Sequence, residues 1–98
     1  MTVYVDDMYK SEIGKFGRMK MSHMMADTHS ELIDMTNKIG VNEKWIQNEG
    51  RPDEHFDICF GKRLKAVELG AVELTMREMA KMNMARRKAA VDEKMAER

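Results

Sequence analysis

Proline, cysteine and tryptophan each occur once in the 98 residues, and phenylalanine and tyrosine add only five more aromatic rings. The lone Cys59 has no partner for an internal disulfide, so the fold must rest on packing, and a reducing compartment is the simpler setting. Charge of one sign is not in excess: 17 basic side chains face 17 acidic ones. That balance excludes a protein held mainly by nucleic-acid phosphates. No apolar run approaches the roughly 20 residues that span a bilayer. The start, Met1 to Asp7, has no basic flank followed by an apolar stretch, so no signal peptide is expected. A cytoplasmic protein without membrane contact is the expectation. No internal repeat or low-complexity stretch interrupts the chain, and its length suits one compact domain.

What is present is a chain 43% hydrophobic and 35% charged, enough for a core. Twelve methionines stand out. Methionine is unbranched and adapts to irregular gaps, which suits either core filling or a plastic binding surface. Charge is segregated along the chain. Residues 1–75 hold 10 basic and 13 acidic side chains, whereas residues 76–98 hold 7 and 4.

Val3-Tyr4-Val5 is a short β-branched and aromatic run closed by Asp6 and Asp7, as a buried strand would be. Tyr9 to Arg18, with Gly14 and Gly17, reads as a loop. From Met19 to Met25 the pattern alternates, which predicts a second strand with Met19, Met21, His23 and Met25 on one face. Thr28 followed by Glu31 fits a capping box, with Asp27 as the competing cap. Leu32, Met35 and Ile39 then make one apolar helical stripe, and Gly40 stands where a left-handed cap is wanted. Val41 to Gln47 reads as a third strand and Asn48 to Glu54 as a loop. A second helix is predicted from Phe60 to Leu69 on the stripe Phe60, Leu64 and Val67. Gly70 ends it, and Ala71 to Thr75 reads as a fourth strand. Everything after Met76 lacks Gly and Pro and reads as a long helix, roughly 35 Å if straight.

The order is therefore β-β-α-β-α-β-α. Two successive β-α-β crossovers imply parallel pairing. The expected fold is α/β: a small, mostly parallel sheet of about four strands with a long C-terminal helix. Residues 1–77 form the α/β domain and 78–98 a helical extension, a candidate surface for homodimer formation.

In parallel sheets ligands gather beyond the carboxyl ends of strands, and polar residues cluster there. Asp6 and Asp7 fit an Asx turn or, with Asp27, a divalent cation held through oxygen. His23 fits a hydrogen-bonded core histidine, a ligand or a base. His55 and Asp57 share one side of an extended segment, where a carboxylate can fix the histidine tautomer for acid–base work. Asp57 alternatively caps the following helix. Lys62 and Arg63 near a helix N-terminus oppose its dipole, which makes sense beside an anion. Gly14-Lys15-Phe16-Gly17-Arg18 lacks the Walker and dinucleotide patterns and reads as a basic loop able to cover an anion. Paired-cysteine zinc ribbons, HExxH and GxSxG are absent.

The runs Val3-Tyr4-Val5-Asp6-Asp7-Met8, Gly17-Arg18-Met19, Ser22-His23-Met24, Ala26-Asp27-Thr28 and Glu31-Leu32 resemble the domain-of-unknown-function 4031 family. So do Ile39-Gly40, Trp45 with Gln47, His55-Phe56-Asp57-Ile58, Lys62-Arg63 and Gly70-Ala71-Val72-Glu73. The resemblance covers about residues 1–77 and leaves the tail from Glu78 outside. Phe56 and Met76 stand where that family usually has tyrosine and tryptophan. The resemblance implies a bacterial or phage setting and a motif that includes Asp6, Asp7, His23, Asp27, His55, Asp57, Lys62 and Arg63. It implies no particular activity.

Three functions are expected from these residues. The first is binding of a small anionic, nucleotide-like molecule, as in a phage protein that sequesters a host signalling nucleotide in the host cytoplasm. Arg18, Lys62 and Arg63 would meet phosphate, Trp45 or Phe56 would stack on a base, and Asp6, Asp7 or Asp27 would bind polar edges. The second is a small hydrolase or phosphodiesterase, with His23, His55 and Asp57 catalytic and a divalent metal as candidate cofactor. The third is a host-inhibiting interaction module that acts through the C-terminal helix. None of the three calls for a specific nucleic acid.

Overall fold

A computed structural model describes residues 2–96 of the chain. Met1, Glu97 and Arg98, at the ends of the two predicted segments, lie outside the described residues. The strands are β1 (Val3–Val5), β2 (Lys15–Phe16), β3 (Met19–Ala26), β4 (Phe56–Cys59) and β5 (Val72–Glu73). The helices are α1 (His29–Ile39), α2 (Phe60–Glu68) and α3 (Met76–Ala96). β3 is the hub of a five-stranded mixed sheet of order β2-β3-β1-β5, with β4 also paired to β3. The β1–β5 pair is parallel; β1, β2 and β4 all run antiparallel to β3.

The expected parallel sheet is thus corrected. Val41 to Gln47 is not a strand: the Asn42 side chain accepts from the Lys44 amide and starts a 3-10 turn over Glu43–Trp45. Only Gln47 keeps a bridge, to His55. The third long strand comes later, at Phe56–Cys59, and returns antiparallel along β3, so the β-α-β crossover inferred through α1 does not exist. The predicted loop before β3 holds two 3-10 turns and the β2–β3 hairpin, closed at Gly17, whose φ is +60°.

Local signals served better at α1. Thr28 Oγ1 accepts from the Glu31 amide and donates to the Glu31 carboxylate, and Gly40 closes the helix at φ +80°. A second Thr-x-x-Glu box, Thr75 with Glu78, opens α3, and Asp7 Oδ1 accepts from the Met76 amide in the same turn.

Alternation along the strands divides the sheet into two faces. Val3, Val5, Met24, Ala26, Phe56 and Ile58 point to a core closed by Leu32, Met35 and Ile39 of α1 and Ala66 of α2. Each of the larger side chains among them stabilises by about 1.5–3 kcal/mol when fully buried. The core face of β3 is therefore the one opposite to His23. Phe56, offered as a stacking ring, is fully buried in this core and cannot meet a ligand. The other face carries His23, Met25, His55 and Asp57 and lies under the first half of α3, where Met79 is buried. The segregated charge joins the two parts: Arg87 reaches Asp53 at 2.8 Å and Arg86 reaches Asp27 at 3.5 Å.

In α2 only Val67 of the expected stripe packs against the core; Phe60 and Leu64 are exposed, and the buried residues are Arg63 and Ala66. Arg63, only 4% exposed, donates through Nε to the Asp6 carbonyl and through its guanidinium to Glu73 at 2.9 Å. Its guanidinium also stacks over Tyr9, 4.8 Å from the ring centroid. The anion that its position called for is the protein's own Glu73. Replacing it strands a buried carbonyl and two packed surfaces. Arg63→Ala should cost about 2–3 kcal/mol in urea unfolding, and a loss below about 0.5 kcal/mol would contradict this role.

Candidate functional site

Three adjacent strands place a row of polar side chains across the α3 face of the sheet. Asp6 follows β1, and its amide donates to the His23 carbonyl at 3.1 Å. On the opposite edge of β3, His23 is in register with Asp57 of β4. His55 stands two residues before Asp57 and so shares its face, fixed by the bridge to Gln47. Residues far apart in the chain meet because strand pairing leaves them no alternative.

Asp6 is 1% exposed. Its Oδ1 accepts from the amides of Met8 (3.1 Å) and His23 (2.9 Å), and its Oδ2 lies 2.6 Å from His23 Nδ1. A carboxylate only accepts, so His23 Nδ1 carries the proton and, in the neutral ring, Nε2 keeps its lone pair. The same logic holds at His55, where Nδ1 donates to the Asp53 carbonyl at 2.8 Å and Nε2 is left free. Both lone pairs are thus assigned by an acceptor behind the ring.

In front of the rings stands Asp57. Its Oδ2 accepts from Gln47 Nε2 at 2.8 Å, while its buried Oδ1 has no hydrogen-bond partner among the described residues. That oxygen lies 3.8 Å from His23 Nε2 and 3.7 Å from His55 Nε2. Donor atoms of all three side chains fall within 4.8 Å of one another. Neighbouring ligands of a tetrahedral ion with bonds of about 2.0–2.1 Å stand roughly 3.3 Å apart. Small side-chain rotations close that gap. Two imidazoles backed by an acceptor and one carboxylate with an unused oxygen are a donor set for a divalent transition metal.

Two cavities meet at His23. One, about 290 Å³, lies under α3 and is lined by Asp6, His23, Asp53, His55 and Asn83 among others, and Asn83 Oδ1 is buried there without a partner among the described residues. The other, about 610 Å³, opens on the far side of His23 and Asp57 toward Phe16 and Trp45. Hydrogen bonding to Asp6 is the main reason that the His23 pKa lies above the usual histidine value; the charges of Asp6 and Asp57 add to it, and burial opposes it.

The structure brings together His23, His55, Asp57 and Asp6. Of the other candidates it brings only Trp45 near them, on the wall of the cavity that His23 and Asp57 also line. Asp7 caps α3, and Asp27 accepts from the Thr2 amide and the Tyr4 hydroxyl and pairs with Arg86. Asp57 lies within β4 rather than at the cap of α2, which is Cys59. Arg63 is consumed by Glu73, Lys62 lies beside Gly40, and Arg18 is exposed at the hairpin turn. Trp45 is exposed on the wall of the larger cavity. His29 is a surface residue paired with Glu54. Sequence reasoning missed the supporting residues Gln47, Asp53 and Asn83. Gln47 acts through an amide and Asp53 through its carbonyl, and neither role leaves a motif.

A family model described as protein of unknown function (DUF4031) matches residues 3–86. The match passes the Glu78 at which the resemblance was expected to stop and takes in Arg86, which pairs with Asp27. No curated protein and no solved structure matches the chain.

The His23–Asp6 pair sets a sign for pH. Because the histidine pKa is raised, the pair's contribution to stability is complete below about 6.5 and is lost as pH rises through the folded value. In chelator-treated protein, NMR titration of the His23 ring should give a midpoint above 6.5, and Asp6→Asn should lower it. A midpoint at or below 6.5 in the unmutated chain would contradict the hydrogen bond.

Proposed function

The chain belongs to the DUF4031 family, whose description carries no activity, and on the geometry of its own site we propose that it is a small divalent-metal-dependent hydrolase acting on phosphoesters. The observation that carries this reading is the convergence of His23 Nε2, His55 Nε2 and the partnerless Asp57 Oδ1. Three protein ligands leave at least one coordination position for water. An ion held by His23, His55 and Asp57 would lower the pKa of a bound water to about 7 and so supply a nucleophile near neutral pH.

The remaining residues have defined tasks. Asp6 and the Asp53 carbonyl hold the two rings in the tautomer that presents Nε2. Gln47 turns Asp57 so that Oδ1 faces the histidines. Asn83 offers an acceptor for a water proton in the cavity under α3. Attack forms a bond from the water oxygen to phosphorus, the bond to the leaving oxygen breaks, and that oxygen takes a proton from solvent. Hydrolysis is the reaction that this donor set performs with water as its only co-reactant. Binding of a nucleotide without turnover fits less well, since Arg18, Lys62 and Arg63 are scattered and Arg63 is already paired.

The test is stoichiometry followed by turnover. Chelator-treated protein titrated with Zn²⁺ or Co²⁺ should take up one ion per chain. His55→Ala and Asp57→Ala should each weaken binding by more than about 100-fold, and Asp6→Asn by about 10- to 100-fold, with circular dichroism unchanged. The loaded protein should release p-nitrophenol from bis-p-nitrophenyl phosphate. Absence of stoichiometric binding overturns the reading, and binding without hydrolysis of any phosphoester reduces it to a metal-binding protein.

A further inference from the structure

The larger cavity gives this site a substrate class. It runs from His23 and Asp57 outward between the β2–β3 hairpin and the 3-10 turn at Glu43–Trp45, and its volume of about 610 Å³ is that of a small-molecule site. Its walls are apolar and largely in solvent: Phe16 is 74% exposed and Trp45 is 64% exposed, with Ile13 and Met19 beside them. Large apolar side chains gathered in one concave surface mark a place where something else is buried. Two aromatic rings from separate segments, with flexible thioethers between them, suit a flat ring rather than an alkyl chain. Lys15 lines the same groove, and its exposed partner Glu12 is too weakly held to neutralise it.

Taken together, an apolar groove with two exposed aromatic rings, one ammonium group and a metal donor set at the inner end describe a flat ring joined to an anionic group. We propose that this groove binds the base of a nucleoside phosphate ester, between Phe16 and Trp45, and delivers its phosphorus to the proposed ion. The inference rests on the hydrolase reading for the identity of the inner end, but the outer half is independent of any metal. Lys15 meets the phosphate or the carbonyl edge of the base, and the hairpin carries both Lys15 and Phe16, so a single short element contacts both parts of the substrate.

Trp45 is the chain's one tryptophan, so its emission reports on the groove alone. The full chain, with chelator and then with Zn²⁺, should be titrated with AMP, GMP, CMP, UMP, octyl phosphate and inorganic phosphate. Saturable quenching by purine nucleotides in both states, with no response to inorganic phosphate, is the expected result. Phe16→Ala, at an exposed position, should weaken it by about tenfold, the loss of one stacking partner. Trp45→Phe in the loaded enzyme should raise KM for a nucleotide ester with kcat little changed. Silence of Trp45 in both states overturns the proposal, as does quenching unaffected by Phe16→Ala or octyl phosphate binding as tightly as AMP. Stoichiometric Zn²⁺ uptake with a silent Trp45 condemns the groove alone, whereas quenching without Zn²⁺ uptake condemns the metal reading alone.

Discussion

Asp6 lies buried where the turn after β1, β3 and α2 meet, and its groups are fully used. Its side chain takes the amides of Met8 and His23 and the ring of His23, its own amide donates to the His23 carbonyl, and its carbonyl takes Arg63. Burying an acceptor costs free energy unless donors replace the lost water. Here the donors come from the turn after β1, from β3 and from α2, so the desolvation cost is offset only when those parts occupy their folded places. The same residue thereby fixes the turn, the strand register and the His23 tautomer. Packing and chemistry share one constraint, and this explains why a polar group sits where an apolar one would fold more cheaply.

The sheet's two faces divide the labour that follows. Toward α1 and α2, interdigitated Val, Met, Phe and Ile side chains supply stability. Toward α3, the same strands present imidazole and carboxyl groups on a rigid support, since pairing on both edges leaves β3 little freedom. α3 covers part of that face while Asp7, Asp27 and Asp53 hold it by charge and capping. The acidic body and basic tail seen in the composition are the two halves of this attachment.

What could be read from the sequence was local. β1, the length of β3, both caps of α1 and the Gly-free run of α3 follow from neighbours within a few residues. Val41 to Gln47 misled because β-branched and aromatic content outweighed Asn42, whose side chain nucleates a turn. Phe56 to Cys59 is too short to be told from the start of the helix that follows it. Topology depended on which strand lies beside which, and that is decided by long-range pairing. The site shows the same division. His23, His55 and Asp57 could be named from their residue types and the i, i+2 spacing. Their meeting could not, because it rests on β3–β4 register, and the shared face of Met19, Met21, His23 and Met25 did not say which side of the sheet holds the main core, because Met fills either.

The order of the donors along the chain has a consequence for synthesis. β1, β3 and α1 leave the ribosome first and contain one imidazole of the set, whereas His55 and Asp57 follow only after residues 40–54 have been made. Until His55 is made the chain holds a single ligand of the set, and one imidazole does not retain a cation against cellular competition. The docking of β4 onto β3 brings the donor set together, before β5 adds the last strand to the sheet. Any ion taken by this set would therefore bind only once β4 has paired with β3, and a chain truncated before β4 would lack two of its three donors.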